Sequence, residues 1–171
     1  MKTKRLITIS LFAAITCVAT MAIRIPSGLS GGYVNMGDCV VLLSAYILGP
    51  LNGAIAAGIG SCLADIFAGY TSFAIPTLVI KFLVALVAGL MFSKAFRTKS
   101  WLILIVSGVA GEIIMAGGYF LVEIWLSGSV AAAAAGIYGS VIQSVFGIIA
   151  STVLYKALTA NVSVKRYIDS I

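Results

Sequence analysis

Side chains that could do chemistry are few in this chain, and most of them lie in apolar stretches. The chain has five acidic residues, of which four fall within or beside apolar runs: Asp38, Asp65, Glu112 and Glu123. Lys81 lies in an equally apolar run. A charge at the centre of a helix in lipid costs roughly 2.5–3.5 kcal/mol. We therefore expect these residues to need pairing partners or a polar ligand.

Two interpretations of Lys81 remain open from the residues alone. In the first, Lys81 has a structural role: it forms an ion pair with Asp65 or Glu112, or it extends to the outer interface. In the second, it donates a hydrogen bond in a solute pocket. Glu112, Met115 and Tyr119 are spaced i, i+3 and i+7, which places them on one side of a helix. This shared side favours a pocket role for Glu112.

Four more polar positions have competing explanations. Asn35 and Asp38 stand at the start of a predicted helix, where capping would explain either of them. Asp65 lies near the end of a helix, where the helix dipole disfavours a carboxylate, so a functional role explains it better. Gln143 is a polar residue in an apolar helix, and it either joins two helices or faces a ligand.

Signals of catalysis are missing from the sequence. The chain contains no histidine, which removes the commonest general base and metal ligand. It also lacks a GxxxxGK[ST] phosphate loop, so we expect no use of ATP by this chain alone. Cys17, Cys39 and Cys62 show no CxxC spacing and fit apolar packing better than a metal site or disulfides. We expect no catalytic residue, no metal and no cofactor.

The composition places the chain in a membrane. Of its 171 residues, 61% are hydrophobic and 9% are charged, whereas soluble domains have about 45–50% and about 25%. The length allows a single domain, residues 1–171. The net charge of +6 is not arranged as a basic stripe among aromatic residues, so nucleic acid is not an expected partner.

We predict an all-α integral membrane protein with six transmembrane helices. Long apolar runs without alternation exclude a β-barrel. The helices are predicted over residues 4–24, 38–48, 51–68, 77–96, 101–126 and 137–158, with loops at 27–32 and 69–76. The first is read as a retained helix because its apolar run is longer than that of a typical signal peptide. The second is too short to cross alone, so it is either sheltered by its neighbours or extended into the preceding loop.

The basic residues predict the topology. Nine of the eleven lie before the first apolar run, in one mid-chain loop or near the C-terminus: Lys2, Lys4, Arg5, Lys94, Arg97, Lys99, Lys156, Lys165 and Arg166. Arg24 and Lys81 are the exceptions. By the positive-inside rule both termini are cytoplasmic, in a multi-pass protein of the plasma membrane.

Small residues recur at four-residue spacing in two helices, which allows close helix contacts in lipid. In the third helix the set is best explained by internal packing: Ala56, Gly60, Ala64 and Ala68. In the first helix it fits either internal packing or docking onto another membrane subunit: Ser10, Ala13, Ala14 and Cys17.

Five stretches together resemble a known family. They are GYVNMGD at 32–38, LGPLNG at 48–53, GIGSCLAD at 58–65, GE at 111–112 and GYF at 118–120. In these stretches, and in its length and helix count, the chain resembles the substrate-binding S components of energy-coupling factor (ECF) vitamin transporters. The resemblance extends over nearly the whole chain.

The resemblance implies a six-helix protein that binds a vitamin or precursor in an outward-facing pocket. It also implies a transmembrane coupling subunit and two cytoplasmic ATPase subunits as partners, and a toppling motion that releases the solute inside. The small residues of the first helix would contact the coupling subunit, although they depart from a clean Ala-xxx-Ala pattern. The matching pocket positions are Asn35, Asp38, Lys81, Glu112, Tyr119 and Gln143, with Asp65 nearby.

The chain looks similar to members that handle hydroxymethylpyrimidine, pyridoxine or pantothenate. A pocket with both Lys81 and Glu112 suits a polar heteroaromatic vitamer on which Tyr119 could stack, whereas the anion pantothenate would prefer unbalanced positive charge. A self-contained carrier or channel that uses Glu112 or Asp65 as its titrating group is the main alternative. A membrane enzyme is disfavoured by the missing motifs, and a purely structural subunit would not explain Lys81 and Glu112.

Overall fold

The computed structural model describes residues 2–22, 24–26, 33–94 and 100–169. These residues form seven helices and one short antiparallel hairpin. The elements are α1 (Lys2–Ala22), β1 (Arg24–Pro26), β2 (Tyr33–Asn35), α2 (Asp38–Leu48), α3 (Pro50–Phe67), α4 (Thr71–Lys94), α5 (Trp101–Ser127), α6 (Val130–Ala160) and α7 (Val162–Asp169). The predicted loop at 27–32, Arg97, Lys99 and the predicted end of the fourth helix at 96 lie outside the described residues.

Five helices, α1 and α3 to α6, are long and apolar enough to cross a membrane. Their outward faces carry large exposed apolar side chains such as Leu102, Ile113 and Trp125, as expected where lipid is the solvent. The all-helical prediction is confirmed apart from the hairpin. Six crossings stay a prediction, because α2 has only 11 residues. The cytoplasmic location of the termini also stays a prediction.

The short helix α2 lies inside the bundle. Ten of its eleven residues are buried. A Cβ on Gly147, near the middle of α6, would lie 2.9 Å from the Cβ of Asp38, the first residue of α2. Therefore α2 starts about halfway along the bundle, and the non-helical backbone before it is buried with it. Such backbone is tolerated at membrane depth only where protein surrounds it. The interpretation that α2 is sheltered by its neighbours is confirmed.

The predicted loop at 69–76 and the predicted start of the fourth helix at 77 are wrong. Helix α4 begins at Thr71, and Pro76 lies inside it. The turn from α3 needs little more than Gly69, whose φ of +84° favours glycine. A proline in the second turn removes one helical hydrogen bond, and membrane helices tolerate it because neighbouring groups satisfy the freed carbonyl.

Helix α6 also begins earlier than predicted, at Val130 instead of 137. Ser129 caps it, since its hydroxyl accepts a hydrogen bond from the Ala132 backbone N–H at 3.3 Å. Alanine has the highest helix propensity of any residue type, so the alanine run that follows extends the helix. Helix α5 agrees with its predicted range to within one residue.

Two elements were not predicted. The hairpin pairs Arg24 with Asn35 at one end and Pro26 with Tyr33 at the other, so α1 ends at Ala22, before the predicted 24. The C-terminal helix α7 returns to the start of α1, where the hydroxyls of Tyr167 and Thr8 are 3.1 Å apart. The two ends of the described chain therefore lie at the same end of the bundle.

Small residues bring α1 and α3 into close contact. A Cβ on Gly60 would lie 2.4 Å from the Ala13 carbonyl oxygen and 2.8 Å from the Cβ of Thr16. Ala56 and Ala64, on the same stripe of α3, are fully buried. The interpretation of the α3 stripe as internal packing is confirmed for these residues.

We predict that Gly60→Ala destabilises the protein by about 1–3 kcal/mol, because the added methyl group has no room and α1 must move away from α3. The measurement is the thermal unfolding midpoint in detergent, which should fall.

Gly117→Ala is the matched control, because a Cβ at Gly117 on α5 meets nothing within 4 Å. This variant should be neutral or more stable, by up to about 1 kcal/mol, through its higher helix propensity. Equal midpoints for the two variants would contradict the close α1–α3 contact.

Candidate functional site

A buried ion pair lies at the centre of the polar residues. Lys81, in the middle of α4, bonds through its Nζ to Oδ1 of Asp38, the first residue of α2. The two side chains are only 2% and 1% exposed. Burial removes both charges from water at a cost of several kcal/mol, and each therefore depends on the other for compensation. The predicted ion-pair partners of Lys81, Asp65 and Glu112, are wrong, since Asp38 is the bonded carboxylate.

Gln143 of α6 connects the ion pair to the hairpin. Its Nε2 donates to Oδ2 of Asp38 at 2.5 Å, and its Oε1 accepts from the backbone N–H of Asn35 at 2.7 Å. Both ends of the amide are thus used. Of the two roles predicted for Gln143, the structure shows that of joining elements.

Asn35 and Asp38 do not cap α2. The cap position is Gly37, with no side-chain cap bond. The Asn35 side chain instead accepts from the Gly37 backbone N–H at 2.8 Å and stabilises the turn that leads into the helix. The Asp38 carboxylate points to Lys81 and Gln143. The capping explanation is therefore wrong for Asp38.

Two side chains of α5 surround the ammonium group of Lys81. The Met115 sulfur lies 3.0 Å from Nζ, and the centroid of the Tyr119 ring lies 5.4 Å from it. The Tyr119 hydroxyl is 3.1 Å from the hydroxyl of Thr77, one turn before Lys81 on α4. The predicted shared side of α5 does face the Lys81 region with Met115 and Tyr119.

Glu112 lies on the same face of α5, one turn before Met115, and is 3% exposed. Its Oε2 accepts from the Ser144 hydroxyl at 3.1 Å. Its Oε1 is buried without a hydrogen-bond partner among the described residues. The carboxylate also interacts electrostatically with Asp38 and Lys81. A buried acceptor of this kind normally has a donor, since leaving its hydrogen bond unmade costs about 1–3 kcal/mol or more.

Asp65 lies beside this group instead of within it. It is buried near the end of α3, and its carboxylate acts electrostatically on Tyr119. Its backbone carbonyl accepts from the Tyr70 N–H at 2.8 Å, which closes the turn to α4. The structure thus brings six of the seven predicted pocket residues together, and the seventh, Asp65, interacts electrostatically with Tyr119.

The four small residues of α1 share one side of the helix but differ in exposure. Ser10 and Ala14 are exposed, whereas Cys17 is buried and Ala13 contacts Gly60 of α3 through its carbonyl oxygen. In this arrangement Cys17 is inaccessible to another subunit. The docking role of the remaining exposed positions stays a prediction.

Two polar residues of the group were missed. Ser144 gave no signal, because a serine in an apolar helix ordinarily bonds a carbonyl of its own helix, as Ser144 also does with Ser140 at 2.8 Å. Thr77 could have been found, since it lies one turn from Lys81 on the same face.

A polar site buried among apolar helices of membrane length is typical of membrane proteins that bind or move a solute. Comparison with known families identifies the class of membrane protein. The family model of the S component of the ECF-type riboflavin transporter matches residues 1–160. The chain belongs to this family: it is an S component, the substrate-binding transporter subunit for a vitamin.

Two individual relatives match most of the chain. A Pyrococcus woesei protein named "Uncharacterized protein in gap 3'region" is 42% identical over 132 residues, covering 77% of this chain and 86% of that protein. The thiamine precursor transporter HmpT of Lactococcus lactis subsp. cremoris is 26% identical over 152 residues, covering 88% and 85%.

Two solved structures share the fold. One is the S component of a bacterial ECF transporter, with a TM-score of 0.69, 23% identity and coverage of 94% of this chain and 98% of that chain. The other is the S component for biotin from an ECF-type transporter, with a TM-score of 0.64, 19% identity and coverage of 94% and 93%. These likenesses support the fold.

We predict that Lys81→Met destabilises the protein by about 3–5 kcal/mol, because Asp38 is then left as an uncompensated buried charge. Asp38→Asn combined with Lys81→Met removes both charges and should recover most of this loss. Thermal unfolding in detergent measures both variants. A double variant as unstable as Lys81→Met would contradict the compensation.

Proposed function

We propose that this S component captures an uncharged polar heteroaromatic vitamer, such as hydroxymethylpyrimidine or pyridoxine, for an ATP-driven ECF importer. The single observation that carries the proposal is the buried Oε1 of Glu112, which has no hydrogen-bond partner among the described residues and lies on the same face of α5 as Met115 and Tyr119. A ligand with an O–H or N–H donor would satisfy it.

The surrounding side chains suit a flat ring. Tyr119 offers an aromatic face for stacking, and Met115 offers a polarizable sulfur that contacts aromatic rings favourably. The Thr77 hydroxyl next to Tyr119 and the Ser144 hydroxyl next to Glu112 add groups that both donate and accept. A heteroaromatic ring with hydroxymethyl or amino substituents matches this mixture.

The charges favour a neutral ligand. Lys81 is neutralised by Asp38, and Glu112 adds no positive charge. A vitamer with a carboxylate, such as pantothenate or biotin, would therefore find no uncompensated positive charge to pair with. The name of the Lactococcus lactis relative, a thiamine precursor transporter, supports a pyrimidine. Riboflavin is the second candidate, because the matching family model bears its name and because it too is uncharged.

Two features of the chain support the proposed partners: the missing phosphate loop and the exposed side of α1. The chain has no phosphate loop, so we propose that two cytoplasmic ATPase subunits supply the energy through a transmembrane coupling subunit. The exposed side of α1 is the proposed docking surface. Next to Ser10 and Ala14 it presents Ile7, Leu11 and Val18, which are 61%, 54% and 66% exposed.

The proposed orientation has both termini in the cytoplasm. Four helices each carry a basic residue toward one end of the bundle, which supports this orientation: Lys4 of α1, Lys94 of α4, Lys156 of α6 and Arg166 of α7. The positive-inside rule assigns this end to the cytoplasm. The hairpin then faces outward.

The first prediction from this proposal concerns binding. Mass spectrometry of the purified protein should detect a retained vitamer, and calorimetry should show that Glu112→Gln weakens its binding about 10–100-fold. The expected loss corresponds to one hydrogen bond to a charged acceptor, since the amide puts a donor where an acceptor is needed.

Glu123→Gln is the matched control for binding. Glu123 is also a buried carboxylate of α5, three turns from Glu112, and it packs against Gly136 of α6. This variant should bind as the wild type does. Normal binding by Glu112→Gln would remove Glu112 from the site.

The second prediction concerns the partners. Ala14→Trp should abolish uptake that depends on the ECF subunits while leaving vitamer binding unchanged, because the bulky ring covers the exposed face of α1. Ala134→Trp, at an exposed alanine of α6, is the control and should transport normally. Uptake into liposomes by the purified chain alone, with a pH dependence, would instead support a self-contained carrier.

A further inference from the structure

The carboxylate of Asp38 occupies the position that an anionic ligand of Lys81 would take. Lys81 is the one basic side chain that the described part of the bundle encloses; the other described basic residues lie near helix ends, in the hairpin or in α7. Its ammonium group is a ready partner for a carboxylate. Asp38 supplies that carboxylate from within the chain.

Asp38 is held firmly in this position. Its Oδ1 bonds to Lys81, and its Oδ2 accepts from Gln143 at 2.5 Å. Gly147 of α6 leaves room for it, since a Cβ there would lie 2.9 Å from the Cβ of Asp38. An anionic ligand would have to displace a carboxylate that is covalently part of the protein and therefore present at very high effective concentration.

A displaced Asp38 would also have no good alternative. It is 1% exposed, and the other acidic side chain of the site, Glu112, offers it no positive charge. Bringing in an anion would thus place two carboxylates, that of Asp38 and that of the ligand, against one ammonium group, in surroundings where like charges repel strongly. A neutral ligand leaves the Lys81–Asp38 pair intact and bonds to Glu112.

We propose that Asp38 is a specificity-determining residue that acts as an internal counter-ion and excludes vitamers carrying a carboxylate. This inference rests on the proposed function of the site. It goes beyond it by assigning the exclusion to one side chain, whose charge alone decides whether Lys81 is available to an anion.

The test uses matched ligands that differ in one group. Pyridoxine is compared with 4-pyridoxate, hydroxymethylpyrimidine with its 5-carboxylate, and riboflavin with carboxymethylflavin. Calorimetry on the detergent-purified chain gives the affinity ratio within each pair. The wild type should prefer the uncharged member, and in Asp38→Asn this preference should fall at least about tenfold, because the amide still accepts from Lys81 but leaves its charge uncompensated.

Two further variants separate the cause. Asp38→Asn/Lys81→Met should lose the gain in carboxylate binding, because the ammonium group is gone. Glu123→Gln changes a buried acidic side chain three turns from Glu112 on α5 and should keep the wild-type ratio. Asp38→Ser, which also removes the charge, replaces Asp38→Asn if the latter does not fold.

The outcomes distinguish this inference from the proposed function. If the wild type binds the uncharged member of a pair and Asp38→Asn or Asp38→Ser keeps the same ratio, the role of Asp38 is refuted and the binding function stands. A wild type that binds both members equally also refutes it, whatever the variants do. If the wild type binds no vitamer at all, the proposed function fails and the inference with it.

Discussion

The buried ion pair between Lys81 and Asp38 is the interaction on which the rest of the architecture depends. An ammonium group in the middle of an apolar bundle requires a carboxylate at the same depth. The chain provides it by starting α2 halfway along the bundle, with the turn at Gly37 buried behind it. The small residue Gly147 on α6 and the amide of Gln143 complete the surroundings of Asp38. The short second helix is therefore a consequence of this pair.

The residues that stabilise this arrangement are also those proposed to bind the ligand, so stability and recognition share one set of side chains. Lys81, Asp38 and Gln143 satisfy one another, whereas Glu112 keeps one oxygen without a partner among the described residues. Buried polar groups are costly unless they are fully satisfied. The half of the site formed by Lys81, Asp38 and Gln143 therefore holds the bundle together, whereas the half around Glu112 is available to a solute.

Much of this could be predicted from the sequence, because lipid imposes strong rules on a chain. Apolar length and breaker residues located α3 and α5 closely, and helical periodicity placed Met115 and Tyr119 on one face. The predicted starts of α4 and α6 are too late. Pro76 lies inside α4 because a membrane helix accepts proline, and the alanine run at 131–135 belongs to α6 because alanine favours helix. Breaker residues alone do not set helix ends in lipid.

The partner of Lys81 was beyond sequence reasoning for a different reason. Asp38 is 43 positions away, and its choice over Asp65 or Glu112 depends on the depth at which α2 begins, which only the packed bundle determines. The small residues of α1 show the same limit. Their spacing predicts close contacts, but Ser10 and Ala14 are exposed, whereas Cys17 on the same side of the helix is buried. No spacing rule tells which of these residues meet α3.

The unequal lengths of the helices have a consequence for the membrane itself. Helix α6, with 31 residues, is about 46 Å long, whereas α3, with 18 residues, is about 27 Å long, and the hydrocarbon layer is about 30 Å thick. One side of the bundle is thus longer than the layer and the other slightly shorter. Hydrophobic mismatch costs fractions of a kcal/mol per Å and is relieved by tilting. The resting tilt of this protein therefore depends on bilayer thickness, so that lipids with longer or shorter chains change how far it leans.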